Sequence, residues 1–355
     1  MAKKTVLFVI PVVIVALLIG GMVISDLPSG TSPDSILPNA ATLEVYFLDV
    51  GQADCILLKT GSHNMLIDAG NTGQDKLVLN YLTKYGVNSL DYLVATHPHA
   101  DHIGSMASVV KAMDSIGMVI MPDKTHTTKT FENLIKAIEE KDVPVSMPKP
   151  GDVFTLGDAT VQVLAPNSDT YKDFNDYSVV LRVEFGDTVF LFTGDAETKS
   201  EGEQLLNGLL LKADVLKVGH HGSRTSSAQK YLDAVSPTYA VISCGAGNDY
   251  GHPHKESMSR LNAMGVVIYR TDENGTILFV SDGKNISITT DNGSGTTPTS
   301  TSNSAEQLRY IGNKNSKSFH LESCSSLPQE QNRVYFNSRQ EAIDAGYTPC
   351  NTCKP

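Results

Sequence analysis

The sequence predicts an α/β fold: one large domain followed by a separate small unit. Three observations predict it. From Leu43 onward, short apolar runs suited to strands alternate with stretches of helical period. The alternation runs through two successive halves and stops near residue 289. Residues 291–304 are then Gly, Ser, Thr, Asn and Pro almost throughout, a composition that buries too little apolar surface to fold. With 355 residues and 41% hydrophobic content, the chain has room for a sizeable core.

The first element is the apolar run 6–24 behind Lys3 and Lys4. It is long enough to cross a bilayer, and the lysines suit the inner flank of a span or the start of a signal peptide. Residues 1–25 therefore read as an uncleaved signal anchor, with a cleaved signal peptide as the alternative. Val23-Ile24-Ser25 is a weak cleavage site. Either reading exports the rest of the chain, held at the cell membrane by a single span or secreted. Residues 26–41, rich in Pro, Ser, Gly and Asp, form a spacer.

The main domain spans 42–289. Strands are expected at 43–50, 54–59, 65–67, 92–96 and 118–121, with helices at 76–85, 103–113 and 130–141. The second half repeats the pattern. Strands are expected at 159–164, 178–185, 188–193, 215–218, 239–243 and 266–269, and helices at 227–234 and 255–264. Asn274-Gly275 and Asp282-Gly283 read as two-residue hairpin turns near the end. Residues 290–306 form a linker, and 307–355 a small terminal unit.

Net charge is −11, which argues against a broad electrostatic grip on nucleic acid. Nucleic acid as a substrate stays open, because bound divalent cations add positive charge that the count omits. Of five cysteines, Cys55 and Cys244 lie in apolar runs and read as small buried hydrophobes. No disulfide framework is indicated.

The most informative stretch is Thr96-His97-Pro98-His99-Ala100-Asp101-His102. Imidazole and carboxylate are ligands that borderline divalent metals accept, and so dense a cluster serves no packing purpose. His97 and His99 on one side of the loop suit one metal, and Asp101 and His102 on the other suit a second. Four further strand-end features fall where a binuclear site needs them. They are Asp68-Ala69-Gly70, Gly194-Asp195, His220-His221-Gly222-Ser223 and Asn175-Asp176-Tyr177-Ser178. His252 and His254, in Gly251-His252-Pro253-His254, read as contacts to a substrate phosphate or leaving group, or as a plain helix-entry loop. Arg224 would add charge. His63 and His126 read as surface residues.

These motifs, with Asp49-Val50-Gly51-Gln52-Ala53-Asp54 and Thr271-Asp272-Glu273-Asn274-Gly275, carry a resemblance over residues 42–289. The chain resembles the metallo-β-lactamase superfamily, and more narrowly the hydrolase domain of the ComEC DNA-uptake proteins in free-standing form. The resemblance implies a four-layer αββα sandwich with two divalent metals, Zn or Mn, at one edge. It implies His97 and His99 on the first metal, Asp101, His102 and His220 on the second, and Asp195 between them. Asp68 would orient the His loop from behind. His221 is the alternative to His220 or a substrate contact, and Ser223 a bond to an anionic oxygen. Many members place a third His on the first metal. Between His126 and His220 this chain has none, and Asn175 and Asp176 stand there instead. That tilts the site towards metals that accept oxygen, such as Mn²⁺. Ala53 replaces the family's usual Gly.

Two metals about 3.5–4 Å apart hold a hydroxide at neutral pH and clamp a phosphate or carbonyl. Asp101 or Asp195 would hold its proton, with His252 as the third catalytic residue. The expected activity is an exported metal-dependent phosphodiesterase or nuclease acting on DNA. The alternatives are hydrolysis of another ester, such as a phosphocholine ester or a lactone, and a DNA-binding receptor without catalysis. A transport role needs a partner in the DNA-uptake machinery.

In the terminal unit, His320-x3-Cys324 and Cys350-x2-Cys353 make a four-ligand set suited to one structural zinc. So small a unit needs such a staple. It resembles the metal-binding domain of the Ada DNA-repair proteins, with His320 where that family has its first Cys. The resemblance implies a structural or DNA-binding zinc module.

Overall fold

The structure is a computed structural model. It describes residues 41–292, 310–321, 324, 326–336, 339–350 and 353. The apolar run 6–24 lies outside them. Among the described residues no helix is long and apolar enough to cross a membrane.

Chain order begins β1 (Leu43–Phe47), β2 (Ile56–Thr60), β3 (His63–Ile67), α1 (Asp75–Lys84), β4 (Ser89–Val94), α2 (Ala100–Ile103), α3 (Met106–Ala112), β5 (Ser115–Ile120), α4 (Lys129–Glu140) and β6 (Val145–Ser146). The second half runs β7 (Val153–Leu156), β8 (Ala159–Ala165), β9 (Val180–Phe185), β10 (Thr188–Phe192), α5 (Thr198–Leu206), β11 (Val215–Lys217), α6 (Gln229–Val235), β12 (Tyr239–Ile242), α7 (Lys255–Ala263), β13 (Val267–Arg270) and α8 (Thr271–Asn274). The hairpin β14 (Ile277–Ser281) and β15 (Ile286–Thr290) returns to the first sheet.

The strands form an eight-stranded sheet, β15-β14-β1-β2-β3-β4-β5-β6, and a seven-stranded sheet, β13-β12-β11-β10-β9-β8-β7. Strand periodicity explains how they stack. In β1, Leu43, Val45 and Phe47 join Phe190, Phe192 and Phe279 in the core between the sheets. Tyr46 and Leu48 face the other way, into a layer with Val78, Leu82, Val109 and Leu134 from α1, α3 and α4. Across the second sheet, Tyr231, Leu232, Val235 and Leu261 from α6 and α7 close the fourth layer. The result is the αββα sandwich.

Several expected elements differ in detail. The helix expected over 103–113 is two helices, because Gly104 packs against the Asn71-Thr72 backbone. A Cβ there would sit 2.1 Å from the Asn71 carbonyl carbon. Helix α5 was not anticipated: its buried face is Ser200, Glu201 and Gln204, so it lacks an apolar period. Strands β6 and β7 were not anticipated either. Asn274-Gly275 ends the helical turn α8 and makes no hairpin. At the β14–β15 hairpin the loop holds four residues, with the Asp282 carboxylate accepting the N–H groups of Lys284 and Asn285.

The terminal unit has a sheet of β18 (Arg333–Phe336), β16 (Tyr310–Asn313), β17 (Ser318–Leu321) and β19 (Thr348–Pro349), in that order, and a helix α9 (Arg339–Asp344). Among the described residues its buried apolar cluster is Phe319, Phe336, Ala342 and Tyr347, with Tyr310 and Val334 packed against it.

Candidate metal centres

Parallel strands β3, β4, β10, β11 and β12 end at one edge of the sandwich, and their following turns supply the polar cluster. C-terminal strand ends are where α/β sheets place ligands. Asp68 follows β3 with a left-handed φ of 58°. Its fully buried carboxylate accepts the Thr96 N–H at 2.9 Å, the Thr96 hydroxyl at 2.7 Å and His102 Nδ1–H at 2.7 Å. This ties the His loop to the neighbouring strand and turns His102 Nε2 towards the cluster. Thr96 Oγ1 and Ser178 Oγ lie 3.2 and 3.3 Å from His97 Nδ1, which leaves His97 Nε2 facing His99 Nδ1 at 3.0 Å.

Asp195 is the hub. Its Oδ2 lies 3.2 Å from His102 Nε2, 3.7 Å from His221 Nε2, 3.8 Å from His220 Nε2 and 3.9 Å from His97 Nε2. Asp101, His102, Asp195 and His221 each offer a ligand atom within 4.8 Å of the others. The imidazole that joins this group is therefore His221, in place of the expected His220. Both take left-handed backbone, at φ 48° and 51°, and this swings His221 inward. His221 is fully buried, with Nδ1–H donated to the Ser243 carbonyl at 2.9 Å. His220 approaches Asp195 from the open side, with Nδ1 held by Glu197 at 2.9 Å.

Burial lowers the His97 and His99 imidazoles, which keeps them neutral and free to ligate. Burial opposes protonation of His221, yet Asp195 and Asp54 lift it to about 10. Burial would raise the Asp195 carboxyl, but His102 and His221 hold it well below its ordinary range. The anionic hub thus sits among imidazoles that a metal would deprotonate. Two buried atoms aimed at the cluster, His102 Nε2 and Asp195 Oδ1, lack a hydrogen-bond partner, and so does Asn175 Oδ1 on the cleft wall. Unpartnered buried donors and acceptors of this kind fit divalent cations.

Beneath the cluster lies a fully buried ion pair that was not anticipated, Lys217 Nζ to Asp54 Oδ2 at 2.8 Å. Asp54 Oδ1 is 3.4 Å from His221 Nδ1, so the pair backs a ligand imidazole.

A cleft of about 420 Å³ opens over the cluster, lined among others by Gln52, His99, Asp101, His126, Asn175, His220, Tyr250 and His252. His126, expected at the surface, stands in this wall beside Phe174. His63 pairs with Asp91 on the exterior. Gln52 was also not anticipated. Its Oε1 accepts the Gly245 N–H at 3.1 Å, and its Nε2–H is 3.4 Å from His252 Nδ1. That leaves the His252 proton on Nε2. Burial and the nearby imidazoles lower His252 to about 4. Other expected residues point elsewhere. Asp176 Oδ1 accepts the N–H groups of Glu197 and Ser200 at the start of α5, and Ser223 Oγ bonds Thr225 Oγ1 at 2.9 Å. His254 Nδ1 accepts the Arg224 N–H.

The metallo-beta-lactamase superfamily matches residues 48–246, which contain the His loop, Asp195 and His221. The chain belongs to the metallo-β-lactamase superfamily. Its fold is that of the superfamily's metal-dependent hydrolases, and the fold implies divalent metals at this edge. The metal binding domain of Ada matches residues 299–355. Among curated relatives, ComE operon protein 3 of Bacillus subtilis is 32% identical over 66% of this chain and 33% of its own length. Competence protein ComA of Neisseria gonorrhoeae is 32% identical over 70% of this chain and 33% of its length. Recombination protein 2 of Haemophilus influenzae is 30% identical over 66% of this chain and 28% of its length. The chain thus spans about a third of these relatives and is ComEC-like within that third. Among solved structures, the metallo-beta-lactamase fold protein YhfI from Bacillus subtilis aligns with a TM-score of 0.48 at 13% identity, covering 68% of this chain and 100% of that one.

In the terminal unit, His320, Cys324, Cys350 and Cys353 bring ligand atoms within 4.8 Å of one another. His320 Nδ1 is 3.4 Å from Cys324 Sγ. Hydrogen bonds from the Ser326 hydroxyl and N–H lower the Cys324 thiol to about 7, towards the thiolate that zinc takes.

Proposed function

We propose that this protein is a metal-dependent phosphodiesterase that cuts DNA outside the cytoplasmic membrane, carried there by residues 1–25 as anchor or signal peptide. The observation that supports it most is the cluster itself: imidazoles and carboxylates from the ends of β4, β10 and β11 gathered around Asp195 at the floor of an open cleft. Its relatives include proteins named for competence and recombination, which favours DNA over other esters.

His97 and His99 would hold one metal, with His220 and Asn175 Oδ1 beside them. Asp101, His102 and His221 would hold the other, and Asp195 would serve both. Divalent ions so held supply a nucleophile at neutral pH and polarise the phosphoryl oxygens, with Zn²⁺ and Mn²⁺ the metals this donor set accepts. The chain's own groups do the positioning. Asp68 and the Ser243 carbonyl aim two imidazoles. Gln52 holds His252 as a neutral donor whose Nε2–H can bond the leaving or non-bridging oxygen. The terminal unit is read as a zinc-stapled module that holds DNA, and a partner channel would complete any uptake role.

The test is cleavage of end-labelled single- and double-stranded DNA by the full-length chain with Mn²⁺ or Zn²⁺ added. Metal-dependent cutting that vanishes in His99→Ala is expected. Neither cutting nor binding of DNA would sink the reading and direct attention to small phosphodiesters and lactones.

A further inference from the structure

Tyr250 lines the cleft, yet it is 69% exposed. An apolar ring so exposed is ordinary on a mobile tip, but this loop is pinned. Asn248 Nδ2 donates to the Gly245 carbonyl at 2.8 Å and to the His252 carbonyl at 2.6 Å, while its Oδ1 accepts the His252 N–H at 3.0 Å. One side-chain amide thus closes the loop on itself and presents the phenol at its tip. One face of the ring lies near-parallel to His252, with centroids 5.7 Å apart and planes at 21°. His252 is in turn 5.3 Å from His220 and 6.2 Å from the buried His221. The phenol therefore stands two ring-to-ring steps from the ligand cluster, with most of its surface open to solvent.

We propose that Tyr250 is a stacking platform for the base of a nucleotide adjacent to the phosphate being cut, so that the enzyme selects unpaired nucleic acid over base-free phosphodiesters. The proposal rests on the phosphodiesterase reading and names the part of the substrate that the ligand cluster does not touch. A phosphate at the cluster leaves its own nucleoside within one sugar's reach, where the open rim offers an aromatic face. Every base has a π-face, so stacking tolerates sequence while it requires the base to be out of a duplex. Stacking adds to affinity without calling on a basic side chain, in a chain whose net charge is −11. The cleft lining also carries His126, packed on Phe174 with centroids 4.6 Å apart.

The chain contains no Trp, which supplies a clean reporter. In the full-length Tyr250→Trp protein, a thymidine tetranucleotide is expected to quench the single indole, whereas the same tetranucleotide with abasic sugars is not. This readout needs no turnover. In parallel, Tyr250→Ala should lose about tenfold in kcat/KM on the thymidine tetranucleotide, within the range that base stacking contributes, and nothing on the abasic one. Tyr250→Phe should keep wild-type rates. Equal quenching by both oligomers, or equal losses on both, would overturn the proposal. Wild-type protein that cuts neither oligomer, with no quenching, would overturn the phosphodiesterase reading as well. Cutting of both at equal rates by wild type would overturn the stacking proposal alone.

Discussion

Asp68→Asn is the most exacting perturbation of this site, because it removes charge and one acceptor while keeping shape. The carboxylate receives three donors: Thr96 N–H on Oδ1, and the Thr96 hydroxyl and His102 Nδ1–H on Oδ2. An amide has one oxygen, so its NH₂ must face a donor. The less costly flip puts oxygen at the Oδ2 position and orphans the Thr96 N–H, a fully buried residue. An unsatisfied buried donor costs about 1–3 kcal/mol. The surviving bond to His102 also loses its charge assistance, so the imidazole that faces the metal becomes less basic and less firmly aimed. Partners behind a metal ligand typically govern about 10–100-fold in metal affinity. Calorimetric titration of Mn²⁺ into the chelator-stripped full-length chain should show that loss, and denaturant melts of the stripped protein should show the stability cost. Wild-type affinity within twofold in a folded Asp68→Asn protein would refute the account of how the His loop is held.

Three further outcomes follow from the geometry. His221→Ala should remove one of the two metals at the Asp195 cluster, counted by elemental analysis against the zinc of the terminal unit, whereas His220→Ala should leave the metal held by Asp101 and His102 in place; the reverse pattern would return the ligand role to His220. Burial pushes Glu201 up to about 7, although its carboxylate accepts the N–H groups of Ser227 and Ala228. The folded protein then keeps a proton that the unfolded chain loses above about pH 4.5. Stability should therefore fall, by at most about 3 kcal/mol, as pH rises from about 4.5 to 7. Denaturant melts at pH 5 and 8 should show this decline shrinking in Glu201→Gln, and an identical slope in that variant would refute the assignment. In the terminal unit the apolar cluster among the described residues is too small to hold β16–β19 together, so Cys350→Ser or chelation should open it to trypsin while residues 41–292 stay protected. Unchanged protection of the tail would remove the case for a structural metal.

Much of this site was legible because its ligands sit at strand ends with short-range signatures. Asp68, the His97–His102 loop and Asp195 each follow an apolar strand and precede a turn, and the αββα layers follow from strands whose two faces are both apolar. What escaped was whatever depends on closure of the whole fold. Gln52 meets His252 across 200 positions, and neither carries a local mark of that contact. Helix α5 hides because it buries polar side chains, and those same residues hold α6 through Glu201. His220 and His221 are equivalent in sequence. Only the course of the backbone through the pair, with both residues left-handed, decides which one reaches the floor of the cleft. The Lys217–Asp54 pair was unreadable because a lysine ending a short strand is usually solvated.

That left-handed pair also bears on how the protein can change. Two consecutive non-glycine residues at positive φ cost about 1–3 kcal/mol each, and Gly222 beside them, at φ 80°, has no room for a Cβ next to Pro253. A screen for heat resistance alone would therefore drift towards glycine or asparagine at 220 and 221, shedding imidazoles to relax the backbone. Variants recovered from such a screen would melt higher and bind less metal. The two histidines persist only under selection for what they hold.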